Sequence, residues 1–243
     1  MKQIRFIMGM PITIEIIRCQ DKAVFKKVFD FFRQVDTQFS PYKKNSEVTH
    51  INQGLIKPTQ YSSQMKQIIG LAQKTKQQTG GFFEIYNNEV LDPSGLVKGW
   101  AILEAAEIIK KSGYQNFYID AGGDIQSSGK NKQEQNWRIG IRNPFNPAEI
   151  IKVIQIESAG VATSGNYERG EHIYNPKGSL SDDLVSITVV GKNIFDADRF
   201  ATAAFAMGQK GIEFIDQTPG LEGYAILKDG VAISTRNFNQ LVN

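Results

Sequence analysis

The chain has 243 residues, enough for one large or two modest domains with a substantial core. Apolar residues make up 41% and charged residues 22%; 28 basic against 25 acidic side chains leave a charge of +3, too evenly mixed for a nucleic-acid-binding surface. The single cysteine, Cys19, excludes an internal disulfide.

The N-terminal stretch MKQIRFIMGMPITIEII alternates apolar and polar residues through Ile4, Phe6, Ile12, Ile14 and Ile16. This is strand periodicity, not the apolar block of a signal peptide, and it predicts a first strand over 3–18 interrupted by Gly9 and Pro11. No apolar run reaches about 18 residues, so no transmembrane helix is expected. A cytoplasmic protein and an exported one whose signal lies outside this sequence both remain open. Apolar residues at 24, 25, 28, 29, 32 and 35 then have helical spacing. FSPYKKNSEVTHIN reads as a loop with a helical turn capped at Ser46, and 62–79 as a helix ended by Gly80-Gly81.

Asp92-Pro93-Ser94-Gly95 is turn chemistry, followed by a helix from Val97 to Lys111 that Gly113 terminates. NFYID alternates as a strand up to Asp120 and breaks at Gly122-Gly123; a strand from Trp137 is stopped by Pro144. Further strands are expected at 150–157, 160–163, 185–190 and 223–234, with one or two helices over 197–217. Strands and helices alternate irregularly, so the expectation is an α+β fold with mixed, mostly antiparallel sheets packed with helices, as a single domain over 1–243.

Four motifs carry candidate chemistry. Asp198 and Thr202 are one helical turn apart on one face, an oxygen pair suited to a hard cation such as Mg²⁺ or, alternatively, a plain helix cap; Asp196 is left as a cap or solvent-facing residue. The stretch Asp92–Trp100 sets glycines around Lys98 at a helix start, either a ligand loop near phosphate or an ordinary capped helix; it departs from the P-loop pattern. Ala121-Gly122-Gly123-Asp124 reads equally as a turn or as a close approach to ligand. The histidines, His50 and His172, have no Cys or His cluster near them, which argues against zinc. His172, in the turn-rich GEHIYNPKG, is either a general base or a surface residue.

Taken in order, these segments resemble the FAD:protein FMN transferases, the ApbE-like flavin transferases. The resemblance runs through Met8-Gly9, then Ser40, Tyr42, Ser46, Glu47 and Asn52, then Gly80-Gly81-Phe82-Phe83-Glu84. It continues through Leu91–Ala101, Ala121–Asp124, His172-Ile173-Tyr174-Asn175-Pro176 and Ala197–Thr202. It implies a T-fold-like architecture and an enzyme that cleaves FAD with Mg²⁺ and passes FMN to a Ser or Thr of an acceptor flavoprotein. It further implies that Asp198, Thr202 and the Gly95 carbonyl hold the metal, Asp198 being catalytic as well. Met8, Tyr42, Phe82, Phe83, Glu84, Asp92, Lys98 and Ile173 would contact FAD, and His172 would act on the acceptor hydroxyl as base or by positioning it. An FAD pyrophosphatase releasing FMN and AMP, or a non-catalytic FAD-binding protein, are the alternatives. The chain departs from the family pattern at Glu84 for Asp, at Leu103 for an acid, at Asn175 for Asp and at Lys177 for Thr, and its 84–91 segment is short.

Overall fold

A computed structural model describes residues 1–165, 175–178 and 183–242. The opening stretch is a hairpin rather than one interrupted strand: β1 (Lys2–Ile7) and β2 (Met10–Ile16) pair antiparallel around Met8-Gly9. Both turn residues have positive φ, +56° and +72°, the twist-matched geometry of a two-residue hairpin. Nothing in the alternation forecast it, because Met is rarely found in the left-handed region and so does not announce such a turn.

Helices follow where the periodicity placed them. α1 (Lys22–Phe39) is capped by Asp21, whose carboxylate accepts the Ala23 N–H at 2.7 Å. It buries Phe25, Val28, Phe29 and Phe32. α2 (Glu47–Asn52) and α3 (Ser63–Gln78) are capped by Ser46 and Ser62, each hydroxyl accepting an N–H three residues on at 3.0 Å. A small hairpin, β3 (Tyr86–Asn87) and β4 (Val90–Leu91), closes the short 84–91 segment. α4 (Ser94–Lys111) begins three residues before the expected Val97. The Asp92 carboxylate accepts the Ser94 N–H at 3.0 Å, and the Pro93 carbonyl takes the Leu96 and Val97 N–H groups, so the turn chemistry is itself the helix start.

β5 (Phe117–Ala121) and β6 (Asp124–Ser128) form a second tight hairpin; Gly122 and Gly123, at φ +62° and +93°, make its turn. β7 (Trp137–Asn143) pairs with β8 (Asn146–Ile156), which starts before the expected residue 150. β9 (Gly160–Gly165), β10 (Leu184–Gly191), α5 (Ile194–Ala206) and α6 (Lys210–Gln217) come next. The strand expected over 223–234 is a hairpin, β11 (Glu222–Leu227) and β12 (Ala232–Ser234).

Eight strands form one sheet in the order β1-β2-β5-β6-β9-β10-β11-β12, every described neighbour pair antiparallel. This is the α+β, antiparallel architecture that the irregular alternation predicts. Period-two alternation then assigns the two faces. Ile12, Ile14, Phe117, Ile119, Ala162, Ile187 and Val189 pack with the helices in the main core. Ile125, Val161 and Val190 face the other way, where β7 and β8 fold over them with Trp137, Ile139, Ile141 and Ile154 in a smaller core.

α5 is the most enclosed helix, buried at Ala197, Ala201, Ala203, Ala204 and Ala206. Its small side chains let neighbouring backbone come close. A Cβ on Gly160 would lie 2.1 Å from the Ile194 nitrogen, against backbone that has nowhere to move. Gly70, exposed in the middle of α3, has nothing within 4 Å of such a carbon. Gly160→Ala is therefore expected to destabilise the protein by about 2 kcal/mol or more. Gly70→Ala is expected to stabilise it by roughly 0.5–1 kcal/mol. Urea denaturation of both variants checks the pair; equal effects would contradict the packing.

Candidate active site

The site is built where the N-terminal half of α4 crosses α5. Gly99 is the contact point: its N–H donates to the Asp198 Oδ2 at 2.8 Å, and a Cβ there would fall 2.8 Å from the Asp198 Cβ. Asp198 is 3% exposed. It is not a helix cap; the cap of α5 is Asn193, whose side chain accepts the Asp196 N–H at 2.8 Å. Asp196, left at sequence level as a cap or solvent-facing residue, instead pairs with Arg199 at 2.7 Å. Arg199 in turn donates to Thr75 and Gln78, tying α5 to α3.

Lys98, next to Gly99, carries its ammonium to the sheet. Its Nζ lies 2.6 Å from the Asp124 Oδ2 and 3.7 Å from the Asp198 Oδ1. The closer contact is ionic without the alignment of a hydrogen bond. Asp124 opens β6 and is 2% exposed. One ammonium therefore faces two buried carboxylates. Burial pushes the Asp198 carboxyl up to about 7; the Lys98 ammonium opposes the rise, and the neighbouring Asp124 carboxylate adds to it.

Thr202 sits one turn along α5 from Asp198, and Gly95 one turn before Gly99 on α4. The two meet: a Cβ on Gly95 would stand 3.6 Å from the Thr202 Cγ2 and 3.9 Å from the Phe83 ring. Four of the residues expected from the sequence, Gly95, Lys98, Asp198 and Thr202, thus converge with Phe83. Phe82 lies beside them in sequence, half-buried, with the Lys177 Nζ 4.7 Å above its ring centre.

The other expected residues have local partners of their own. Met8 occupies the left-handed turn at the sheet end, packed against the main core. Tyr42 is 91% exposed in the loop after α1, leaving its ring open. Glu84 is held by Lys76 at 2.5 Å and accepts the Ile85 and Tyr86 N–H groups. Partial burial would raise its carboxyl, but these partners outweigh that and hold it below its usual range. Asp92 is exposed, with one oxygen on the α4 start. Glu47 and Asn52 serve the scaffold. Glu47 accepts from Ser62 and Gln38, and Asn52 bonds both the N–H and the carbonyl of Leu91, at 2.8 and 2.9 Å. His172 and Ile173 lie outside the described residues.

Sequence reasoning singled out the Ala121–Asp124 stretch but did not assign Asp124 to the site. Its partner Lys98 is 26 residues earlier, on a helix of the other layer, and only the fold joins them. The Gly-Gly before Asp124 was the available signal, since it ends β5 at a fixed place and starts β6 on this carboxylate. Among the described residues no three His, Cys, Asp or Glu side chains group as a metal cluster, and no helix is long and apolar enough to cross a membrane.

Comparison with known proteins bears on this geometry. The model of the ApbE family matches residues 8–90 and 86–225. The FAD:protein FMN transferase of Salmonella typhimurium is 26% identical over 156 residues, a match covering 60% of this chain and 45% of that protein. The protein of the same name from Vibrio cholerae is 30% identical over 131 residues, covering 49% of this chain and 39% of that one. The chain thus spans under half the length of these relatives. Among solved structures, the flavin transferase ApbE from Vibrio cholerae superposes with a TM-score of 0.88 at 21% identity, over 100% of this chain and 99% of that one. The ApbE protein from Thermotoga maritima gives 0.86 at 19% identity, over the same shares. The fold is shared with those structures, and the chain belongs to the ApbE family.

Proposed function

We propose that this chain is a Mg²⁺-dependent FAD:protein FMN transferase. The observation that carries the reading is the convergence of Lys98, Asp124, Asp198, Thr202 and Gly95 at the crossing of α4 and α5, together with the names of the relatives. The residues fit a hard divalent cation. Two carboxylates facing one ammonium leave a shortage of positive charge, and the Asp198 carboxylate, the Thr202 hydroxyl and the Gly95 carbonyl are oxygen donors. Mg²⁺ is commonly bound through one or two carboxylates and completed by substrate phosphates. When bound, it would offset charge on the FAD pyrophosphate during displacement at phosphorus.

The chain's own groups have separable tasks. Lys98 is a compact cation for the phosphates, and the Asp124 contact fixes where its ammonium stands. Gly99 brings the helix backbone against Asp198 so that one carboxylate oxygen is satisfied and the other is left for a cation. Tyr42, Phe82 and Phe83 supply apolar surface for the rings of FAD, with Met8, Glu84, Asp92 and Ile173 as further contacts. In the reaction a Ser or Thr hydroxyl oxygen of the acceptor bonds to the FMN phosphorus. The bond from that phosphorus to the AMP phosphate oxygen breaks, AMP leaves, and the hydroxyl proton passes to a base, for which His172 is proposed.

The transfer can be tested with FAD, Mg²⁺ and threonine-containing peptides, read by peptide-bound flavin fluorescence and mass spectrometry. Labelled peptide is expected, and Asp198→Asn or a chelator should slow labelling by about a hundredfold or more. FAD split to FMN and AMP with no label would identify the pyrophosphatase alternative. Bound but intact FAD would identify the non-catalytic one.

A second prediction concerns the buried charges. Lys98→Met strands Asp124 without its partner and is expected to cost about 3 kcal/mol of stability. Adding Asp124→Asn should recover much of that loss, giving a coupling energy of about 1–3 kcal/mol in a double-mutant cycle. Additive effects in chemical denaturation would show that the pair is not coupled.

A further inference from the structure

On the face of the sheet opposite the helices, β7 and β8 cover the middle strands, with a polar cavity lined by Tyr118, Asp120, Asp124 and Thr163 beneath them. Beyond that cover, the edge strand β1 carries two apolar side chains into solvent: Ile4 is 53% and Phe6 75% exposed. They share one face, set opposite Thr13 and Pro11 of β2. Sheet proteins ordinarily avoid apolar residues on an edge strand, because the unpaired backbone beside them is a template for another strand. The opposite edge of the sheet, β12, is three residues long and is guarded by that shortness. β1 runs six residues without a proline, and its register against β2 is unbroken. Its guards are two charges, Lys2 and Arg5.

The hairpin geometry fixes which backbone groups of β1 are unpaired. Met1 and Ile16, the pair next to Lys2↔Glu15, exchange both main-chain hydrogen bonds, at 2.7 and 2.9 Å. Such pairs alternate along an antiparallel ladder, so the odd-numbered residues of β1 bond to β2. The N–H and C=O groups of Lys2, Ile4 and Phe6 therefore point outward, away from the sheet. The Ile4 carbonyl is met by the Arg5 guanidinium, which donates to it at 2.8 Å. The other outward groups have no partner among the described residues.

Backbone groups alone accept any strand; the side chains select one. A second copy of β1, antiparallel about a two-fold axis at Ile4, sets Ile4 against Ile4, Phe6 against Lys2 and Gln3 against Arg5 across the axis. Every outward group is then used, in roughly six hydrogen bonds. Phe6 lies along the aliphatic stem of Lys2, and the Gln3 side-chain carbonyl is placed to accept from the Arg5 guanidinium. No like charges face each other. Sliding one copy so that the axis falls on Arg5 sets two guanidiniums opposite and loses about two of the bonds. We propose that β1 is a homodimer interface, joining two copies of the sheet edge to edge in the register centred on Ile4. The contact is isologous and closes on itself, so assembly stops at two copies. The Met8-Gly9 turns fall at opposite ends of the new ladder, which keeps the two candidate active sites apart. A single strand pair is a small contact, so the dimer forms and dissociates with concentration. None of this depends on the reaction assigned to the site.

Sedimentation velocity of the purified chain, from micromolar to millimolar concentration, tests this; the mass should rise from one chain to two. Ile4→Pro removes an outward N–H and none of the bonds to β2, a change an edge strand accepts. It should raise the midpoint concentration about tenfold or more, with thermal unfolding of the dilute protein little changed. Ile4→Asp, which sets two carboxylates face to face on the axis, should do the same, and added salt should relieve it in part. Ile4→Cys reads the register. Residues paired in this way stand about 5.5 Å apart between Cα atoms, within disulfide reach. Under mild oxidation Ile4→Cys should cross-link, while Phe6→Cys and the parent, whose Cys19 is buried, should not. A single-chain mass at every concentration overturns the proposal. So does a dimer that survives both Ile4→Pro and Ile4→Asp, cross-linking of Phe6→Cys in preference to Ile4→Cys, or a mass that climbs past two chains.

Discussion

A carboxylate buried between two helices is costly unless something in the structure holds it, and Asp198 is such a group. Its partners set conditions on everything around it. The Gly99 N–H reaches it only because α4 has no side chain at that position, and Lys98 reaches it only because Asp124 draws the ammonium to the same point. For α5 to lie low enough on the sheet to present Asp198 there, Gly160 must be bare beneath its first turn. For the helix to pack on α4, β9 and α6 at once, it must be built of alanines. The glycines and alanines of the core thus serve the placement of one acid.

The same sheet separates two environments. On one face the helices exclude water around Lys98, Asp124 and Asp198, which strengthens every charge interaction there. On the other, β7 and β8 leave a polar cavity open to solvent. The alternation of side chains along β5 and β6 divides them: Ile119 and Gln126 point to the helical layer, while Tyr118 and Ile125 belong to the hairpin side. Asp124 stands at the end of its strand, where the sheet parts, and so touches both.

Much of this architecture was legible in the chain, and the failures have physical causes. The core stripe of α1, the caps at Ser46 and Ser62, and the alternation in β2 and β5 are local signals, and the structure agrees with them. The turns at Met8-Gly9 and over 228–231 were read through, since alternation continues across a tight hairpin and only turn residues mark it. Met8 gives no such mark, being held in its left-handed conformation by the pairing on either side. Asp198 and Thr202 were visible as a pair because helical spacing is local. Asn193 as the cap was missed because Asp196 and Asp198 are also good capping residues, and only burial distinguishes them. The ion pair to Asp124 and the open face under β7 and β8 depend on contacts between distant segments, which no periodicity encodes.

The departures from the family pattern gain a direction once they are placed. Glu84 keeps the negative charge of the residue it replaces, and Lys76 compensates it at 2.5 Å. Asn175 removes a negative charge, and its side-chain oxygen accepts the Lys177 N–H at 2.9 Å. Lys177 then adds a positive charge where the pattern has a neutral Thr, and that ammonium sits over Phe82. The rim beside Phe82 is therefore more positive than the pattern would make it by two charges. Under the transferase reading proposed above, a pyrophosphate would gain from such a change, because the buried centre brings two carboxylates against one ammonium. The substitutions at Asn175 and Lys177 alter the charge balance in the sense that favours a polyanion beside Phe82.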